Sequence, residues 1–336
     1  MRIALIIILL TFLAFIGGWY FNDLLEKDAK IVIKNNEVFI QPEKPLEKYQ
    51  IDNLSVTQIQ PGTIEMGEII EEEETFTSYL FSMKFDPTLE GLETKTTTGM
   101  VNIPNDDGKY PAVVMFRGYV NQSIYTTGMG TKNAGNYFAD NGFITIAPDF
   151  LGYADSDIEA ENIFESRFQT YVTALTLLNS LDQIEKWGGE NVFIWGHSNG
   201  GQVAITALEV NKLEIPTTLW APVTKPFPYS ILYYTDESTD KGKFIRSELA
   251  KFEELYDVEK YSLDNYVTNI NAKLLIHQGT YDDAVPYGWT DSFVKVLEDN
   301  EIDVTYHKYP GADHNLKPSW DTVVEKDIEY FRNNIK

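Results

Sequence analysis

The sequence predicts an α/β fold: a mostly parallel central sheet with helices on both faces and a helical insertion. Three observations predict it. From Thr77 onward, short apolar runs alternate with helical stripes. Several of those runs are apolar throughout, as in strands buried on both faces of a parallel sheet. One of them, Asn191-Val192-Phe193-Ile194-Trp195, leads directly into Gly196-His197-Ser198-Asn199-Gly200, and a helix-like stretch follows from Gly201 to Val210.

At the amino terminus, Arg2 precedes an apolar run from Ile3 to Gly17 that continues through Trp19, Tyr20 and Phe21. Residues 1–21 read as a membrane anchor or signal segment. No A-x-A-like cleavage site follows, and the aromatic cluster suits a membrane interface. The expectation is an uncleaved single-pass anchor with the rest of the chain extracytoplasmic. A cleaved signal and a secreted protein are the alternative. Residues 22–67 read as a polar extracytoplasmic extension punctuated by Pro42, Pro45, Pro61 and Gly62. Its β-like stretches, Ile31-Val32-Ile33 and Glu37-Val38-Phe39-Ile40, suit a small hairpin. Glu71 to Glu74 read as a solvated charge cluster.

The main domain is expected over 68–336. Its strand-like segments are Tyr79 to Phe85, Thr96 to Ile103, Ala112 to Phe116, Phe143 to Ala147, Val192 to Trp195, Thr217 to Trp220, Leu274 to Ile276 and Val304 to Tyr309. The clearest helical stripe carries Phe168, Tyr171, Val172, Leu175, Leu178 and Leu181. The last one carries Trp320, Val323, Val324, Ile328 and Phe331. Both read as core contacts. The stretch from about 223 to 268 breaks the rhythm and is rich in tyrosine and phenylalanine. Insertions at the carboxyl ends of parallel strands overhang active sites, so it reads as a helical cap.

Composition narrows the chemistry. There are 27 basic against 51 acidic residues, a net charge of −24. Such a surface repels nucleic acid and anionic headgroups. With no cysteine, thiol catalysis, zinc–thiolate sites and disulfides are excluded. No cofactor and no metal ion are expected.

The glycine-flanked turn at Ser198 has a steric logic. A serine at the tip of a strand–turn–helix junction takes a strained backbone, and side chains on its neighbours would strike the adjoining strand and helix. The hydroxyl is then lifted clear of the sheet. Serine is a weak nucleophile until a base takes its proton. Of the four histidines, His197 adjoins the serine, His277 ends a buried strand and His307 lies within a strand. His314 alone sits in a loop beyond a strand, where a base is needed. The acid that orients the base is Asp282 or Asp283, after the strand Leu274-Leu275-Ile276, with Asp313 ranked last because it adjoins His314. The order Ser198, then Asp282 or Asp283, then His314 is that of an α/β-hydrolase. An oxyanion needs fixed donors. The expected ones are the N–H of Asn199, which opens the helix, and the N–H of Tyr119, in the loop after Val113-Val114-Met115-Phe116. Arg117 stands there where the fold usually carries histidine.

From about Thr77 the chain resembles the catalytic domain of the prolyl oligopeptidase family of serine peptidases. The matching pieces are Gly196-His197-Ser198-Asn199-Gly200-Gly201, His277-Gln278-Gly279-Thr280-Tyr281-Asp282-Asp283-Ala284-Val285-Pro286, Tyr309-Pro310-Gly311-Ala312-Asp313-His314 and Pro148-Asp149-Phe150-Leu151-Gly152-Tyr153. The resemblance implies that Asp282, the first aspartate of the family's G-T-x-D-D pattern, is the triad acid. It also implies a serine-type peptidase acting on short peptides. Family members usually carry a β-propeller ahead of this domain. The residues before the sheet are too few for one. Relatives without a propeller include esterases of the dienelactone-hydrolase and acetyl-esterase kind, so a carboxylesterase acting on small acyl esters is the alternative. A tethered binding protein on an inactive fold is disfavoured, because Ser198, Asp282 and His314 occur together.

Overall fold

The computed structural model describes residues 29–34, 37–235 and 238–336. Strands β1 (Ala29–Lys34) and β2 (Glu37–Pro42) pair antiparallel, as the two β-like stretches suggested. The main sheet has nine strands among the described residues: β3 (Thr63–Glu72), β4 (Phe76–Phe85), β5 (Lys95–Pro104), β6 (Tyr110–Phe116), β7 (Ile144–Pro148), β8 (Trp187–His197), β9 (Thr217–Trp220), β10 (Leu274–Gly279) and β11 (Val304–Tyr309). Their order is β11-β10-β9-β8-β6-β7-β5-β4-β3. The run from β11 to β7 is parallel, and β5, β4 and β3 are added antiparallel. The α/β-hydrolase fold is therefore present, and each expected strand lies in or within a residue of an observed one.

Alternation along the central strands builds two core layers. On β6, Ala112, Val114 and Phe116 face one layer, and Val113 and Met115 face the other. Helices α1 (Ile51–Val56), α3 (Ile163–Asn179), α4 (Asn199–Asn211) and α7 (Tyr287–Asp299) supply the first layer. Helices α2 (Lys132–Asp140) and α8 (Trp320–Asn333) cover the second. The insertion from 223 to 268 is helical as expected, with α5 (Tyr229–Thr235), α6 (Lys243–Leu255) and three short 3₁₀ turns. Its Phe227, Phe252 and Tyr261 pack on Phe164 and Phe168 of α3, with Tyr261 stacked 4.8 Å from Phe168.

The extension expected over 22–67 needs correction in its second half. Leu46, Tyr49, Ile51 and Leu54 are buried in the main core. The Leu46 N–H donates to the Tyr256 hydroxyl at 3.1 Å, and the Tyr261 hydroxyl donates to the Leu46 carbonyl at 3.0 Å. This segment is thus clamped beneath the cap. Strand β3 begins at Thr63, so the sheet starts before residue 68. β3 is an edge strand exposed along most of its length, which hides it from any alternation test. Glu71, read as part of a solvated run, pairs with Lys132 at 3.0 Å. Leu54→Ala is therefore expected to cost about 2–5 kcal/mol in urea denaturation, the cost of a core cavity, where a tether residue would cost almost nothing.

No helix among the described residues is long and apolar enough to cross a membrane. The anchor or signal expected over residues 1–21 lies outside the described residues.

Candidate active site

The turn between β8 and α4 carries Ser198 at φ 56°, ψ −119°, in a region that L-residues rarely adopt. The surroundings hold it there. The Ser198 N–H donates to the Trp220 carbonyl at 2.9 Å, and its own carbonyl accepts from Val223 at 2.9 Å and Gly201 at 3.0 Å. Two glycines are required by close approach. A Cβ on Gly200 would sit 1.9 Å from the Phe116 carbonyl oxygen, and one on Gly196 would sit 2.7 Å from the Gly200 carbonyl oxygen. The helix start is thus pressed against the end of β6.

His314 follows β11 in a loop, and its Nδ1 lies 3.0 Å from Oδ1 and 2.9 Å from Oδ2 of Asp282. The Asp282 carboxylate is sealed from solvent, while the imidazole keeps 18% exposure on its other side. Asp282 Oδ1 accepts from the N–H groups of Ala284 at 3.0 Å and Val285 at 2.8 Å. Oδ2 accepts from the Gln278 amide at 2.8 Å, and Gln278 in turn accepts from the Thr290 hydroxyl at 2.7 Å. Burial acts to raise the Asp282 pKa. Hydrogen bonds from His314, Val285 and Gln278, with the charge of His314, outweigh it and hold the carboxyl below its usual range. Asp282 is therefore ionised when His314 needs it.

The other candidates are disposed of by geometry. Asp283 is exposed. Asp313 turns into its own loop, accepting from Asn315 and Lys317 N–H at 2.9 Å each. His277 is fully buried between the Tyr309 hydroxyl at 2.8 Å and Asp327 at 3.0 Å, a bridge from β10 to β11 and α8. His307 stacks on it. The His197 ring lies 4.8 Å from the His314 ring, and its Nε2 is 3.0 Å from the His314 carbonyl oxygen. The residue beside the nucleophile thus fixes the loop of the base.

Burial, and then the neighbouring His314 ring, depress the His197 pKa to about 4. Between about pH 4 and 6.5 the unfolded chain then binds a proton that the folded chain refuses, so stability falls as pH falls through that window. The loss is at most about 3 kcal/mol, because the ring is not wholly sealed. The buried carboxyls Glu209 and Asp327 are shifted upward and act in the opposite sense. A comparison isolates the histidine: wild type is expected to lose more stability than His197→Asn between pH 7.5 and 4.5, read by urea denaturation.

On the oxyanion side, a Cβ on Gly118 would lie 2.9 Å from Ser198 Cβ and 3.5 Å from its Oγ. The loop carrying Tyr119 therefore abuts the nucleophile, and the Tyr119 side chain points to solvent. Neither the Asn199 nor the Tyr119 N–H is taken by a backbone acceptor among the described residues. Two supports were not read from the sequence. Gln278 stands four residues before Asp282 near the end of β10, and that placement is its only signal in the sequence. Arg117 was noted only as a departure; it is buried and caged by aromatic rings. A cavity of about 460 Å³ borders His197, Asn315 and Trp320. Another of about 620 Å³ lies between Tyr229 and Tyr233 of the cap and Trp289.

Comparison with known proteins bears on the fold and the family. The solved acetyl xylan esterase from Paenibacillus sp. R4 has a TM-score of 0.64 at 15% identity, covering 92% of this chain and 98% of its own. Acetyl xylan esterase 1 from Thermoanaerobacterium sp. JW/SL YS485 has a TM-score of 0.60 at 15% identity over the same shares. A puromycin-hydrolyzing peptidase from Mycobacterium tuberculosis has a TM-score of 0.55 at 14% identity, covering 91% of this chain and 43% of its own. These likenesses show the fold. No curated protein matches the sequence. Residues 129–335, which hold the elbow, the acid loop and the histidine loop, match the sequence model of the prolyl oligopeptidase family, and the chain belongs to that family.

Proposed function

We propose that this hydrolase is a serine peptidase that cleaves short peptides through an acyl-enzyme. The observation that carries the reading is the strained Ser198 elbow in the same fold end as a His314 imidazole anchored on a buried, ionised Asp282. In the proposed sequence Ser198 Oγ attacks the scissile carbonyl carbon while the neutral His314 Nε2 takes its proton. The N–H groups of Asn199 and Tyr119 receive the new oxyanion. His314 then returns the proton to the departing amine, and water repeats the sequence to release the acid. Only the unprotonated ring can accept the Ser198 proton, so kcat/KM is expected to fall as acid protonates the base.

A carboxylesterase is the second reading. It is favoured by the near full-length correspondence with two acetyl xylan esterases, against partial coverage of the peptidase. The same groups serve both, because both reactions pass through an acyl-enzyme. Purified protein assayed side by side on aminoacyl anilides and short acyl nitrophenyl esters separates them. Anilide turnover with a free amino terminus supports the peptidase. Ester turnover without anilide turnover replaces it with the esterase.

The proposed setting is extracytoplasmic, with residues 1–21 as anchor. Protease added to intact cells should then remove the domain while the anchor stays with the membrane through carbonate washing. A protected domain would place it inside, and a soluble external one would mean a cleaved signal.

A further inference from the structure

Arg117 opens the loop between β6 and the Tyr119 donor, and its side chain folds back into the protein. It is 5% exposed. Its guanidinium carbon lies 3.9 Å from the Tyr153 ring centroid, 4.4 Å from that of Tyr125 and 5.6 Å from that of Phe150. Nη1 donates to the Gly118 carbonyl at 3.0 Å, and Nη2 donates to the Asp149 carbonyl at 2.7 Å. The cage is itself braced. The Tyr125 hydroxyl donates to Asp149 Oδ1 at 2.6 Å, and the Thr98 and Thr127 hydroxyls donate to Oδ2 at 2.7 and 2.8 Å. A planar fork held by ring faces and two carbonyls has little freedom left.

The consequence follows from peptide planarity. The Gly118 carbonyl and the Tyr119 N–H lie in one peptide plane and point in opposite directions across its C–N bond. Drawing the oxygen onto Arg117 turns the N–H away from the cage. The same peptide leaves Gly118, whose Cα is pressed against Ser198. The geometry points to Arg117 as a positioning residue that aims the Tyr119 N–H at the oxyanion formed on Ser198. This rests on the acyl-enzyme reading above. It also explains why a loop without the usual histidine keeps a fixed orientation: the restraint comes from the arginine.

The test uses the full chain and whichever acyl substrate it turns over, together with its thiono analogue, whose sulfur is a poor hydrogen-bond acceptor. Arg117→Ala is expected to lower kcat about 10²–10³-fold, the loss seen when one oxyanion donor goes. KM should change far less. The wild-type preference for the oxygen substrate over the thiono analogue should shrink, and free guanidinium below denaturing concentrations should restore part of kcat. Arg117→Lys keeps the charge but lacks the fork, and should not recover wild-type kcat. If the alanine variant does not fold, Arg117→Met fills the aromatic cage with an unbranched chain and is read by the same substrate preference. A kcat near wild type overturns the proposal. So does a loss of kcat with the oxygen-over-thiono preference intact, which would mean packing alone. Labelling of Ser198 in the wild type by a fluorophosphonate distinguishes the two levels. An unlabelled wild type fails the acyl-enzyme reading and this proposal with it, whereas a labelled wild type with an unaffected arginine variant fails Arg117 alone.

Discussion

Asp282→Asn is expected to lower kcat about 10⁴-fold with little change in fold. The contacts explain why so small a change does so much. Oδ1 accepts two backbone N–H groups, from Ala284 and Val285, so the asparagine oxygen must stay there. The amide nitrogen then takes the place of Oδ2, facing His314 Nδ1. It donates where the carboxylate accepted. That forces the imidazole proton onto Nε2, and the nitrogen that should accept the Ser198 proton has no free lone pair. Gln278 worsens the fit, because its amide now meets another donor. Asp283→Asn, at an exposed position, should leave kcat within about threefold, since surface substitutions away from such networks do little. Steady-state kinetics on both variants decide it; a reversal would make Asp283 the acid.

The second large effect is Gly200→Ala. Its Cβ would meet the Phe116 carbonyl oxygen at 1.9 Å and the Arg117 carbonyl oxygen at 2.6 Å, both backbone atoms that cannot rotate aside. Relief requires α4 to draw back from β6 by an ångström or more, taking Ser198 and the Asn199 N–H with it. Misplacement on that scale costs about 10²-fold in rate. Overpacking adds about 1–3 kcal/mol of lost stability. Gly288→Ala is the control. It lies in α7 with nothing within 4 Å of its added Cβ, and should leave the rate unchanged while gaining up to about 1 kcal/mol of stability from helix propensity. Equal behaviour of the two variants would mean that the elbow is not under steric constraint.

Much of this arrangement was legible in the sequence because the elements concerned are buried. The inner parts of β6 (Ala112 to Phe116), β8 (Phe193 to Trp195) and β10 (Leu274 to Ile276) are buried, and each forms a short apolar run. Ser198 stood out as a polar residue at the end of such a run, and His314 by its place in a loop beyond β11, since the other three histidines lie in strands or beside the serine. Asp282 did not separate from Asp283 on chemistry alone; the family pattern indicated it, and the hydrogen bonds to His314 agree. What stayed hidden lies where burial comes from distant contacts. Leu46 and Tyr49 owe theirs to Tyr256, Tyr261 and Phe168, far along the chain, so a polar stretch with prolines reads as an extension outside the domain. β3 is solvated and shows no period. Arg117 is a charge whose partners are ring faces and carbonyl oxygens, a combination that no local pattern announces.

The central claim is that Ser198 is the nucleophile. Intact-protein mass spectrometry after a fluorophosphonate, with peptide mapping, tests it most directly. The account predicts one adduct, on Ser198, lost in a folded Ser198→Ala variant together with hydrolysis. An adduct that survives that substitution, or hydrolysis that continues without the hydroxyl, would contradict it.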